Sequence, residues 1–321
     1  MAANVPGDRA LAGALTARSS LTEHGGMHTT ANGIELAYET MGDPSDPALL
    51  LVMGLGAQMI SWDDEWCQSL VDRGFHVIRY DNRDVGLSTK VPVDEDVDVA
   101  EMVAALLAGT LDAAPYLLDD MAADAIALLD ALGIERAHVV GASMGGMIAQ
   151  AIAIAAPHRV ASLTSIMSTT GDADVGQPSP EVLPVLLSPA PTEREAYIAQ
   201  AIEGSRAIGS PEHFDAERAA DLAARAYDRC FYPRGVVNQL VAIVASPSRS
   251  DGLRQLDLPA LVVHGTEDPL VTPSGGERTA EVIPGAELLL LEGMGHDLPT
   301  YYWPQVIEAI TSLAARSSAA A

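Results

Sequence analysis

Ala137-His-Val-Val-Gly-Ala-Ser143-Met-Gly-Gly-Met-Ile-Ala-Gln-Ala-Ile-Ala-Ile-Ala-Ala156 is the stretch on which the reading of this chain turns. A short apolar run, Ala137–Val140, meets Gly141-Ala-Ser143-Met-Gly145-Gly146 and passes directly into an Ala-rich helical pattern. Strand, sharp turn and helix around Gly-x-Ser-x-Gly is the setting that raises a serine hydroxyl above a sheet. The spacing has a steric cause. The positions two before and two after the serine press against neighbouring backbone, where a Cβ would clash. The turn also brings Ser143 to a helix N-terminus, where the N–H of Met144 can face a developing negative charge.

Around this stretch the chain alternates strand and helix patterns. Asn32-Gly33 is a hairpin signal that pairs Met27–Ala31 with Ile34–Thr40. Ala48–Met53 is continuously apolar, as expected of a strand buried on both faces of a parallel sheet. It ends in Gly54-Leu-Gly56, a loop at a strand's carboxyl end, where open sheets of this type bind ligands. A helix over Trp62–Arg73, a strand over Phe75–Tyr80 and an amphipathic helix over Asp119–Leu132 lead into the central stretch. The central helix ends at Pro157, and a strand at Ala161–Met167 follows. The alternation predicts an α/β fold with a mostly parallel, doubly wound sheet.

At about Thr169 the pattern changes. Five prolines fall within residues 170–192, and helical periodicity then covers Thr192–Ile208, His213–Phe231 and Arg234–Ala245. No strand pattern returns until Ala260–His264. After it come a helix near Gly276–Ile283, a strand at Glu287–Leu291 and a helix at Pro304–Ala314. The expected organisation is a core of residues 27–168 and 257–321 with a helical cap of 169–256 inserted over the site. Residues 1–26 read as a disordered tail, without the basic start and long apolar middle of a signal peptide.

Composition narrows the partners. The 321 residues carry 18 basic and 44 acidic side chains, a formal charge of −26 that disfavours nucleic acid and anionic membranes. Mean hydropathy is +0.16, yet no apolar run reaches the length of a membrane span. Cys67 and Cys230 are expected to be buried free thiols, which fits a cytoplasmic protein. Lys90 is the sole lysine, and with the abundant alanine it reads as genomic bias. Neither a dinucleotide or Walker phosphate loop nor a zinc-spaced His/Cys cluster occurs, so no cofactor and no metal are expected.

A serine hydroxyl needs a base, and the base needs an orienting carboxylate. In this strand–turn–helix architecture the chain order is serine, acid, histidine. Only His264 and His296 follow the helical insertion. His296, in the glycine-loosened loop Glu292-Gly-Met-Gly-His-Asp297, is the expected general base, and His264 is expected to pack beneath the site. Asp268, four residues past a strand in His264-Gly-Thr-Glu-Asp-Pro269, is the favoured acid. Glu267, Asp172 and Asp174 remain alternatives, and Asp297 reads as a local loop contact. Leu55 N–H is the expected second donor to an oxyanion beside Met144 N–H, with Asp81-Asn-Arg83 positioning that loop. Met53, Met144 and Met294 could line an acyl pocket.

With these residues in place the chain resembles the α/β-hydrolase superfamily from about Gly33 to Ala314. Leu49-Leu-Leu-Val-Met-Gly54, His76-Val-Ile-Arg-Tyr-Asp-Asn-Arg83 and His138-Val-Val-Gly-Ala-Ser-Met-Gly145 look like bacterial carboxylesterases akin to aclacinomycin methylesterases and mycobacterial lipase/esterase-type proteins. The resemblance implies the same assignment of nucleophile, acid and base to Ser143, Asp268 and His296. Met53-Gly54 stands where many superfamily members have His-Gly, in keeping with that subgroup. Serine at 143 speaks against dehalogenase or epoxide hydrolase chemistry, which the superfamily runs on a carboxylate.

The expected activity is hydrolysis of a small to medium carboxylic ester through an acyl-enzyme. The alternatives are lactone or carbon–carbon bond hydrolysis or perhydrolysis on the same triad, and a non-catalytic ligand-binding role. Substrate identity and oligomeric state are not legible in the sequence.

Overall fold

A computed structural model describes residues 26–92 and 114–319; the tail expected at 1–26 lies, but for Gly26, outside them. Eight strands form one sheet in the order β1-β2-β4-β3-β5-β6-β7-β8. They are β1 (Met27–Ala31), β2 (Ile34–Met41), β3 (Ala48–Val52), β4 (His76–Tyr80), β5 (Ala137–Ala142), β6 (Val160–Ile166), β7 (Ala260–Gly265) and β8 (Glu287–Leu291). β1/β2 and β2/β4 pair antiparallel, and every other pairing is parallel. All residues of β3, β4, β5 and β7 are buried, and the unbroken apolar run of β3 foretells it most directly.

Helices cover both faces. α2 (Leu118–Ala131) and α3 (Met144–Ala155) pack on one side, where Leu50, Val52, Val139 and Leu163 meet Met121, Leu128, Ile148 and Ile152. α1 (Asp64–Val71) and the last helix close the other side over Leu49, Leu51, Val77 and Val263. Asp63 caps α1 by accepting the Glu65 N–H, which sets the helix start two residues later than the sequence suggests. Other element ends shift by one to three residues, and the last helix extends to Ala319.

Between β6 and β7 the chain forms α4 (Arg194–Ile208), α5 (Ala216–Arg229) and α6 (Pro233–Ala245), with single helical turns at Leu183–Leu186 and Ser250–Leu253 and no strand among them. The remaining helices among the described residues are α7 (Ser274–Val282) and α8 (Trp303–Ala319). The chain leaves β3 for β4 on one side and returns to β5 on the other, so β3 and β5 are neighbours across the point where strand order reverses. Crevices for ligands open outside the carboxyl ends of strands at such a point. The loops at 54–56 and 143–146 sit there.

Candidate active site

Ser143 leaves β5 with φ +57° and ψ −123°, a backbone state that costs a non-glycine residue about 1–3 kcal/mol. Its surroundings hold it there. Ser143 N–H donates to Ile166 O at 2.9 Å, and Ser168 Oγ donates to Ser143 O at 2.8 Å. The glycines have the steric roles that their spacing suggests. A Cβ on Gly141 would lie 2.0 Å from the Gly145 carbonyl oxygen, and one on Gly145 would lie 2.0 Å from Val52 O. Gly54 fits against Ala142 O and the Ser143 side chain, where a Cβ would be 3.1 Å away. The turn is thus wedged between β3 and its own helix.

His296 Nε2 lies 2.9 Å from Ser143 Oγ, and its Nδ1 lies 2.8 Å from Asp268 Oδ2. Both are buried, with Asp268 2% and His296 9% exposed. Asp268 Oδ1 accepts from the N–H groups of Leu270 and Val271, each at 2.9 Å. Burial alone would push this carboxyl up. Electrostatic attraction from the adjacent His296, together with hydrogen bonds from His264 and His296, overrides burial and holds it down at about 2. An ionised carboxylate only accepts, so Nδ1 of His296 carries the proton and Nε2 presents its lone pair to the serine hydroxyl. A hydroxyl, imidazole and carboxylate linked in this way can draw the proton from Oγ.

His264 occupies the place beneath the site. It is fully buried, donates from Nε2 to Val271 O at 2.8 Å, and has the same nitrogen 3.4 Å from Asp268 Oδ2. The alternative acids lie elsewhere: Glu267 is exposed, while Asp172 and Asp174 pair with Arg278. The methionine wall does not form as expected. Met144, the first residue of α3, and Met294, in the loop after β8, are fully buried in different core clusters, and Met53 is half-buried.

Among the described residues, neither Leu55 N–H nor Met144 N–H has an acceptor. Met144 is the first residue of α3, so its N–H lacks an intrahelical partner. Asn82 Nδ2 donates to Met53 O at 2.9 Å, and Asp81 Oδ1 accepts from Met59 N–H at 2.8 Å. These two side chains brace the 53–59 loop, the role expected of this segment. Arg83 instead turns to α2 and forms a buried pair with Asp124 at 2.6 Å.

The helical insertion supplies contacts that the sequence did not advertise. Ile208, at the end of α4, accepts the His296 N–H at 2.7 Å. Ser210 Oγ accepts the Gly295 N–H at 3.0 Å and donates to Asp297 Oδ1. On α6, Gln239 binds Gly56 N–H and Arg83 O, each at 2.8 Å. One signal was available: Asn238-Gln239 is a polar pair inside the apolar run Val236–Ala242. Among the described residues no group of three or more His, Cys, Asp or Glu is placed to hold a metal ion, and no helix is long and apolar enough to cross a membrane.

A profile of the alpha/beta hydrolase fold family matches residues 47–299. Rhodomycin D methylesterase DnrP of Streptomyces peucetius is 33% identical over 293 residues, covering 84% of this chain and 91% of that protein. The 3-oxoadipate enol-lactonase 2 of Acinetobacter baylyi is 28% identical over 82% of this chain and 87% of its own length. The solved structure of a thermophilic esterase from Thermogutta terrifontis superposes with a TM-score of 0.66 at 24% identity, covering 91% of this chain and 98% of that one, and so shares the fold. The sheet order, the elbow at Ser143 and a match over more than half the chain agree: this protein belongs to the alpha/beta hydrolase fold family.

Proposed function

We propose that the protein is a serine carboxylic-ester hydrolase in which Ser143 is the nucleophile, His296 the general base and Asp268 the orienting acid. The observation that carries this reading is the continuous chain from Asp268 Oδ2 through His296 to Ser143 Oγ, with steps of 2.8 and 2.9 Å. Ser143 Oγ attacks the ester carbonyl carbon while its proton passes to His296 Nε2. The resulting oxyanion is held by the N–H groups of Leu55 and Met144. His296 then gives the proton to the departing alkoxide, which leaves as the alcohol. Water attacks the acyl-enzyme under the same base, and the acid is released.

The substrate class is a small-molecule carboxylic ester, and the similarity to rhodomycin D methylesterase favours a methyl ester with methanol as the leaving alcohol. Residues 169–256 act as a cap on the core of 27–168 and 257–321, and no nucleic-acid or membrane partner is assigned, a reading that rests on the charge of −26. Two unpaired thiols support a cytoplasmic location. Ser143→Ala is expected to abolish hydrolysis of p-nitrophenyl esters while the folded signal in circular dichroism persists. Retained turnover would overturn the assignment. The similarity to an enol-lactonase favours one second reading, lactone opening on the same residues. Comparing methanol release from methyl esters with ring opening of unsubstituted lactones decides between them.

A further inference from the structure

Gln239 sits on α6, far along the chain from the loop it touches, and is fully buried. Both ends of its amide are used. Oε1 accepts the Gly56 N–H at 2.8 Å and Nε2 donates to Arg83 O at 2.8 Å. The partners are one donor and one acceptor, so the orientation of the amide is fixed by them. The side chain therefore spans two core loops from outside the core.

What it holds is the peptide next to a reacting group. Leu55 N–H belongs to the Gly54–Leu55 peptide. On the preceding side, the Met53 carbonyl is held by Asn82 Nδ2 at 2.9 Å. On the following side, the Gly56 N–H is held by Gln239. The Gly54 carbonyl, which points away from its own peptide's N–H, is turned inward to accept the Ala57 N–H at 3.3 Å. Leu55 N–H is thereby left facing out of the turn, with the peptide planes on either side fixed by side-chain amides. Gly56 has φ +67°, and a Cβ there would meet Val236 of the same helix at 3.0 Å, so the loop is moulded to α6. Further along, Arg229 of α5 pairs with Asp81 at 2.7 Å and donates to Gln58 at the same distance.

We propose that Gln239 is a positioning residue for the oxyanion-stabilising loop, aiming Leu55 N–H from the helical insertion; the proposal rests on the assignment of Leu55 N–H as an oxyanion donor. Hydrogen-bond donors act on a transition state only when fixed where the charge develops, and a misplacement of about 1 Å costs about 10²-fold. Removing the Gln239 contact should therefore act on turnover rather than on substrate affinity.

The test uses Gln239→Met, which keeps length but removes both bonds, and Gln239→Asn, which keeps the amide but is one methylene too short to reach both partners. Each is assayed on p-nitrophenyl acetate with active sites counted by fluorophosphonate titration, and each is titrated with an aryl trifluoromethyl ketone, whose adduct carries the oxyanion. For Gln239→Met, kcat per titrated site is expected to fall about 10- to 100-fold with KM within about threefold. Affinity for the ketone is expected to weaken in the same proportion. Gln239→Asn should show a smaller loss with the same pairing, and it carries the test alone if the Met variant does not fold. A folded variant with wild-type kcat, or one that loses kcat but keeps its affinity for the ketone, overturns the proposal. The underlying reading is checked separately in the same assay: wild type without esterase activity, or Ser143→Ala with it, would sink the triad whatever position 239 does.

Discussion

Ser210 grips Asp297 across 87 residues of sequence: its N–H donates to Asp297 Oδ1 at 3.0 Å and its hydroxyl reaches the same oxygen. That hydroxyl also accepts the Gly295 N–H, so the residues before and after His296 are both tied to the end of α4. Ser210→Ala strips the acceptor from a buried N–H, and a group left unpaired in this way costs about 1–3 kcal/mol. The expected result is a loss of that size in urea unfolding, with a several-fold drop in kcat because the loop that carries His296 loses one of its ties to the helical insertion. An unchanged kcat would mean that the Ile208 bond to His296 N–H suffices.

Two carboxylates around this loop should respond oppositely to pH. Asp268 is held at about 2, below its ordinary 3.8, so its contribution to stability is present above the ordinary value and is lost as pH falls toward 2. Asp297 is pushed up by burial, only partly countered by Ser210. Its contribution is present below 3.8 and is lost as pH rises through the raised value. Relative to wild type, Asp268→Asn should therefore become less stable, and Asp297→Asn more stable, as pH increases from acid to neutral. Denaturant titrations at several pH values check the two slopes, and slopes of the same sign would refute the assignment.

Glycines in this chain differ sharply in what an added methyl would meet. Gly145→Ala would drive Cβ to 2.0 Å from Val52 O, between β3 and the elbow, at an expected cost of about 3 kcal/mol or more. Gly74, at φ +82° with nothing within 4 Å, should cost only the backbone penalty of about 1–2 kcal/mol. Thermal unfolding of the two alanine variants reads the order directly.

The thiols should separate by accessibility. Burial pushes the Cys67 thiol up to about 12, and it is fully enclosed beside Trp62 and Trp66. Cys230 is half-buried rather than buried as the sequence suggests, because it ends α5 beside a cavity lined by Tyr197, Phe231 and Tyr232. In the native protein a disulfide reagent should label Cys230 first and reach Cys67 only on unfolding.

The sheet was legible because buried parallel strands are mostly apolar: β3 is wholly so, and β5 and β7 are interrupted only by His138 and His264. The serine turn was legible because its glycines meet backbone, a local constraint written into five residues. Asp268 and His296 could be nominated from chain order and loop position alone, and the structure brings both within hydrogen-bond distance of the chain to Ser143. Ser210 and Gln239 were not nominated. Each bonds main chain 85 or 183 residues away, and such a bond asks nothing of local sequence beyond one polar side chain. Adjacency along the chain to a site residue likewise did not place Met144 or Met294 at the surface of the site: both are fully buried in the core.

The anchoring of the loops at 295–297 and 54–56 by the end of α4 and by α6 bears on how such proteins can be recombined. A chimera carrying a foreign insertion between β6 and β7 would discard the bonds at Ile208, Ser210 and Gln239. An insertion transplanted without those three contacts would leave the loops at 54–56 and 295–297 without their ties, so changing side chains on the resident helices disturbs these loops less than swapping the helices themselves.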